Sequence, residues 1–252
     1  MSKPQSEANP IDVEWQEHVA IVTIAAGTHA STSSVREALI STLEKLNDNA
    51  SRCRAIVLTT TGKSFCGGGA EQGGNGALAR DLFKLLSVGK RPVVAAVEGL
   101  VAGPDLSLVA ACDFVVATPQ AEFSFALGSN GRLPEGGLFW SLARRIGAGR
   151  TRQALMSGRL IRGERALEIG LANELADPGK ALETAARVAA KYAAMPPLAM
   201  AYLKAVMATG SDTLDQAIET ETNVQPLLRK TEDHKEAVQA FLQKRAPNFV
   251  GR

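Results

Sequence analysis

Short apolar runs and helical patterns alternate along the first half of the chain, and this alternation limits the fold more than any other feature. VAIVTIA (19–25), RAIVLTT (54–60), PVVAAVEG (92–99) and FVVAT (114–118) are short and rich in β-branched residues, the pattern of buried strands. IDVEW (11–15), ahead of the first of them, predicts a hairpin turning near Gln16–His18. Between the strands, SSVREALISTLEKLN (33–47), with Ser33 or Ser34 as N-cap, ALARDLFKLLSVG (77–89), ending at Gly89, and LSLVAACD (106–113) read as helices. Such alternation implies a parallel sheet covered by helices through right-handed crossovers.

From about residue 137 strand-like runs become scarce. SLARRIG, ERALEIG, KALETAARVAAKYAA, PLAMAYLKAVMATG, TLDQAIETETNVQPLLRK and EDHKEAVQAFLQKR all read as helices, several punctuated by glycine or proline. No flexible linker separates the two halves, so the helical part is expected to pack on the core or on a neighbouring subunit. With 252 residues, 45% of them hydrophobic, the chain can bury a sizeable core.

Its net charge of +2 comes from 28 basic and 26 acidic residues without a basic block, which argues against nucleic acid as a partner. Cys53, Cys66 and Cys112 are widely separated, as suits reduced thiols, and neither they nor His18, His29 and His234 have metal-binding spacing. No segment has the apolar length of a membrane span and MSKPQSEANP lacks the apolar run of a signal peptide, so a cytoplasmic protein with no membrane partner is expected.

Two glycine-containing loops each follow a strand and lead into a helix: GKSFCGGGAE (62–71) and EGLVAGPDLSLVAACD (98–113). The first lacks the spacing and terminal Lys-Ser/Thr of a phosphate-binding P-loop, and no ribose-binding acid is well placed for a dinucleotide site. Two loops after parallel strands do bring backbone N–H groups to one edge of a sheet, where they can form an oxyanion hole.

At these residues the chain resembles a known family. GKSFCGGGAE is similar to the GxxFCAGxD segment of the enoyl-CoA hydratase/isomerase (crotonase) superfamily, and RPVVAAVEGLVAGPDLSLVAACDFVVAT to its KPVIAAVxGxAxGxGxxLALxCDxxxA segment. IRGERALEIGLANEL and KEAVQAFLQKRAPNF resemble two later segments, so anchors in the family's order span residues 19 to 249.

The resemblance implies an α/β fold, a crotonase-like ββα spiral over residues 1–195 with a C-terminal helical trimerisation region over 196–252. It implies an acyl-CoA thioester as substrate, with coenzyme A as part of that substrate rather than a separate cofactor, and a homotrimer or hexamer. Gly69 and Pro104 match the two oxyanion-hole positions; Lys63, Ser64, Phe65, Cys66 and Gly67, with Phe241 and Lys244, match positions that hold coenzyme A. An amphipathic terminal helix with a core Phe and a solvated Lys accounts for Phe241 and Lys244 equally well. A lysine common just after Ala70 in the family is absent.

Departures from the family pattern bear on the reaction. Pro104 has no backbone N–H, and one lost oxyanion donor costs a factor of about 10² to 10³. Proline also suits the first turn of a helix, and Asp105 suits the helix dipole, although an ionised Asp105 would work against an enolate. Ser107 and Leu127 occupy the positions of the glutamate pair with which hydratases of the family add water. What remains is Glu135, in FSFALGSNGRLPEGG (123–137), which resembles the L-x-P-[DE]-x-G segment of isomerases in the family.

A single carboxylate can take a proton from C2 and return it at C4, so the resemblance implies a Δ3,Δ2-type enoyl-CoA isomerase. An apolar setting of Phe125, Leu127, Leu133, Phe139 and Trp140 would raise the pKa of Glu135. The same Pro-Glu-Gly-Gly run is ordinary turn composition. A divergent hydratase or thioester hydrolase, and a weakly catalytic acyl-CoA-binding protein, stay open. Cys66 has no neighbouring histidine to activate it and reads as a small buried residue, as does Cys112; Glu122 reads as a solvated or salt-bridged residue at a strand edge.

Overall fold

The computed structural model of the chain describes residues 10–25, 32–62, 64–65, 76–126, 133–210 and 213–252. Strands β1 (Ile11–Gln16) and β2 (Val19–Ile24) form the expected antiparallel hairpin, with Gln16 opposite Val19. Helix α1 (Ser33–Asp48) follows. Its N-cap is Thr32, whose Oγ1 accepts from the Val35 N–H at 3.4 Å, rather than Ser33 or Ser34. Both serines already lie inside the helix, so the hydroxyl one residue earlier is the one placed to take the free amide.

Three turns of one structural repeat come next, each a strand, a second strand and a helix. They are β3 (Ala55–Thr60), β4 (Ser64–Phe65) and α2 (Gly76–Val88); β5 (Val93–Val97), β6 (Leu100–Ala102) and α3 (Pro104–Ala111); and β7 (Phe114–Ala117), β8 (Glu122–Ser124) and α4 (Leu138–Ser157). The first strand of each turn joins one sheet, ordered β1-β2-β3-β5-β7-β10, and the second joins another, ordered β4-β6-β8-β9. Chain order and sheet order coincide because each turn lays its strands, in parallel, beside those of the turn before. The inner strands of the six-stranded sheet are buried on both faces: every residue of β5 and all but the last of β3 are buried, as their unbroken apolar sequences require, while β1 at the edge exposes one face.

The chain continues through β9 (Leu160–Arg162), α5 (Gly163–Ile169) and β10 (Glu174–Leu175) to α6 (Ala181–Ala193). Alanines 181, 185, 189 and 193, with Val188, form the apolar stripe that lets α6 lie flat on the outer face of the large sheet, against Val57, Val94 and Val116. The opposite face carries the main core, where α1, α2, α3 and α4 close over the space between the sheets. Helices α7 (Pro197–Thr209), α8 (Leu214–Arg229) and α9 (Glu232–Gln243) complete the chain.

α7 is fastened by Lys204, whose buried ammonium donates to Arg91 O at 2.8 Å and Asp113 Oδ2 at 2.6 Å. The C-terminal tail is fastened by Asp233, which accepts the N–H groups of Val250 and Gly251. All six helices expected after residue 137 are present, and the structure has the crotonase-type spiral. The strands of the second sheet have two or three residues each, too short to show a period.

Gly163, the first residue of α5, meets the end of β7 backbone to backbone: a Cβ there would lie 1.9 Å from Thr118 O. Neither partner can move aside without parting helix and strand. Gly163→Ala is expected to destabilise the fold by about 2 to 3 kcal/mol, read as a lowered denaturation midpoint.

Candidate active site

The site grows out of the third turn of the spiral. Leu133-Pro134-Glu135 leads into Gly136 (φ +67°) and Gly137 (φ +73°), two successive residues in the left-handed region that only glycine adopts at little cost. Gly137 caps α4, its carbonyl accepting from Ser141 N–H at 3.0 Å. Gly136 lets the loop close on α3, for a Cβ would stand 3.1 Å from that of Ser107. Ser107 Oγ completes the contact by donating to the Glu135 backbone carbonyl at 2.6 Å. The Pro-Glu-Gly-Gly run is thus a turn, and the turn presents the Glu135 side chain.

That side chain lines a narrow cleft together with Arg36, Ala79, Leu82, Phe83, Pro104, Ser107, Leu108 and Gly136. Ala79, Leu82 and Phe83 share one face of α2, and Phe83 is braced by Trp140 in an edge-to-face contact at 5.8 Å. Arg144 lies over the other ring at 3.8 Å. Pro104 is the first residue of α3, entered through Gly103 at φ +60°, so the helix-start reading of this proline holds and its ring also lines the cleft. Ser107 lines it as well.

The apolar part of the cleft around Glu135 comes from Ala79, Leu82, Phe83 and Leu108 instead of the residues expected, and its carboxylate meets a cation. Leu133 is 82% exposed and Phe139 also faces solvent, because the glycine turn carries both away from the cleft. Glu135, with 40% of its side chain accessible, accepts at 2.8 Å from Nη2 of Arg36, whose side chain is 3% accessible. Arg36 went unnoticed in the sequence, although a signal was there. It stands in register with Leu39, Leu43 and Leu46 on the buried face of α1, where a guanidinium needs an acidic partner.

A second carboxyl lies behind the first. Asp105 is 2% exposed, and its Oδ1 has no hydrogen-bond partner among the described residues. Burial pushes its pKa up to about 8, against the opposing pull of Arg36. At neutral pH Asp105 is therefore mostly uncharged, and the repulsion an ionised Asp105 would exert on an enolate is largely removed.

Of the other sequence candidates, Gly69, Lys63, Cys66, Gly67, Leu127 and His29 lie outside the described residues. Ser64 and Phe65 form β4; the Phe65 ring is in the core and the Ser64 carbonyl accepts from Thr60 Oγ1. Phe241 is 82% exposed on α9, which excludes a core role within this chain, and Lys244 follows the helix in a left-handed conformation; neither lines the Glu135 cleft. Cys112 is buried and its thiol is pushed up to about 12, as suits a packing residue. Glu122 pairs with Arg162 at 3.5 Å, but β8 lies between β6 and β9 and is not a sheet edge.

The family model for enoyl-CoA hydratase/isomerase matches residues 14–252. The chain belongs to this family. It is 29% identical to a short-chain-enoyl-CoA hydratase of Clostridium acetobutylicum, over 95% of this chain and 97% of that one. It is 30% identical to the 1,2-epoxyphenylacetyl-CoA isomerase of Escherichia coli, over 79% and 82% respectively. Among solved structures, an enoyl-CoA hydratase of Mycobacterium marinum superposes with a TM-score of 0.86 at 28% identity, covering 97% of this chain and 100% of that one. The superfamily chemistry is the processing of acyl-CoA thioesters, and hydratase names dominate among the relatives.

Between the ordinary carboxyl range and about pH 8, folded Asp105 holds a proton that the unfolded chain has released, so its contribution to stability falls as pH rises. The wild type is expected to lose up to about 1.4 kcal/mol per pH unit from this residue between pH 5 and 8. Asp105→Asn, neutral throughout, should flatten that slope in denaturant titrations at pH 5, 6.5 and 8. Parallel slopes in the two proteins would show that Asp105 is ionised in the folded state.

Proposed function

We propose that this member of the enoyl-CoA hydratase/isomerase family is a double-bond isomerase of the Δ3,Δ2 type, with Glu135 as its proton carrier. The observation that carries the reading is that Glu135 is the one carboxylate among the described residues lining the cleft. Hydration of a conjugated thioester calls for one group to activate water and another to supply a proton. Ser107, at one of the positions that match the hydratase glutamates, is committed through its hydroxyl to the Glu135 carbonyl. It shapes the loop and does not exchange protons with a substrate.

In this reading the thioester lies with C2 and C4 on the same side of Glu135. The carboxylate takes the C2 proton and the C2–H electron pair moves into the C1–C2 bond as the thioester oxygen gains charge; when that charge returns, the C1–C2 pair shifts to C2–C3 and the C3–C4 pair takes the same proton at C4. Atoms and charge balance without an added reagent. The Gly69 N–H would receive the thioester oxygen, and residues Lys63 to Gly67 with Phe241 and Lys244 would hold coenzyme A. Exposed apolar side chains on α8 and α9, among them Leu214, Ile218, Leu227, Phe241 and Leu242, support assembly into trimers or hexamers.

Purified protein and its Glu135→Gln variant should be incubated with 3-enoyl-CoA esters and with trans-2-enoyl-CoA esters of several chain lengths, with products resolved by mass. The expected result is conversion of 3-enoyl to 2-enoyl esters that falls by at least about 10³-fold in the variant, since the variant keeps the shape of the acid but cannot accept its proton. A product heavier by one water, formed faster than the isomer, would replace this reading with hydration, the activity named for most relatives. Free coenzyme A as the product would indicate thioester hydrolysis instead.

A further inference from the structure

We propose that Arg36 supplies the positive charge that holds the enolate of this reaction, from the same cleft wall in which Pro104 provides no N–H. The inference rests on the isomerase reading of Glu135. Before proton transfer, Arg36 and Glu135 form an ion pair at 2.8 Å, and their charges cancel. When Glu135 takes the C2 proton it becomes a neutral acid, and the negative charge it carried now sits on the thioester. The guanidinium cannot give up its own proton, so its charge stays where it was. The cleft then contains one cation and one anion, as before, but the anion is the enolate.

Three features make this more than a neutral bookkeeping of charge. Arg36 and Pro104 line the same cleft, so the cation faces the region in which one expected donor is missing. The Arg36 side chain is 3% accessible, so its field is little screened by water, and a charge fixed in a dry wall acts without the cost of reorienting solvent. Finally, the other acid in its field does not cancel it at neutral pH: Asp105 is buried, and desolvation pushes it up to about 8. An Asp ionised there would draw the Arg36 field away from the substrate.

The experiment follows enolate formation itself, as exchange of the C2 protons of saturated butyryl-CoA in deuterium oxide, alongside isomerase turnover. Arg36→Gln removes the charge and keeps a side chain able to hydrogen-bond Glu135, Arg36→Met removes both, and Arg36→Lys keeps the charge. Dissociation constants for butyryl-CoA and unfolding midpoints are measured on each variant. Exchange and turnover are expected to fall about 10²-fold or more in Arg36→Gln and Arg36→Met, with butyryl-CoA affinity changed less than threefold, and to stay within about tenfold of wild type in Arg36→Lys.

If Arg36→Met does not fold, Arg36→Gln against Arg36→Lys decides. Wild-type rates in Arg36→Gln, or an equal loss in Arg36→Lys and Arg36→Gln, would overturn the charge assignment while leaving Glu135 as the proton carrier. A wild-type protein that neither exchanges nor isomerises would overturn the isomerase reading, and this inference with it.

Discussion

Burial of the large sheet on both faces is the constraint on which the rest of the molecule depends. Strands such as β3 and β5 have no polar face to turn outward, so each must be covered twice: by α6 on one side and by α1 to α4 with the second sheet on the other. Parallel pairing demands that every strand be followed by a crossover, and here each crossover contributes a short strand to the second sheet before its helix. The helices therefore stack in register with the strands. The glycine turn before α4 thereby comes down onto α3, and Glu135 arrives beside Pro104 and Ser107 although about thirty residues separate them in sequence.

The same packing explains how an ion pair can sit at the cleft. Arg36 reaches across from α1, the helix that precedes the repeating turns, into the space between α2, α3 and the loop before α4. Its charge is tolerable in a position 3% accessible because Glu135 answers it, while the Glu135 side remains open to the cleft. Asp105 belongs to the same balance. It is the more deeply buried of the two acids, and burial pushes its pKa up to about 8 against the pull of Arg36.

How much of this was legible beforehand differs from residue to residue for physical reasons. The strands of the large sheet and the late helices could be read because unbroken apolar runs and helical periodicity leave direct marks on composition. The second sheet leaves none, since two- and three-residue strands such as β4 and β6 are defined by their neighbours and not by their own preferences. Glu135 is visible through the turn that carries it, but its surroundings are not. Sequence proximity suggested Leu133 and Phe139, while the lining residues come from α2 and α3, some thirty to fifty positions upstream. Arg36, 99 residues from its partner, is a case of a long-range contact whose only local trace is a cation on an apolar stripe.

Pro104 then takes on a different meaning from the one its chemistry alone suggests. A proline at the start of α3 removes a donor from the cleft, which on a site reliant on backbone N–H groups would be a plain loss. Here it lines the same cleft as Arg36 and Glu135, and its fixed φ suits the first turn of a helix entered through Gly103. The next residue, Asp105, is buried in the first turn of that helix, and burial pushes its pKa up to about 8. Two conditions therefore meet at the start of α3: no hydrogen-bond donor at Pro104, and beside it an acid whose pKa burial has raised. Under both, Arg36 is the one cationic side chain among the described residues that line the cleft, which is why the enolate proposed above is assigned to its field.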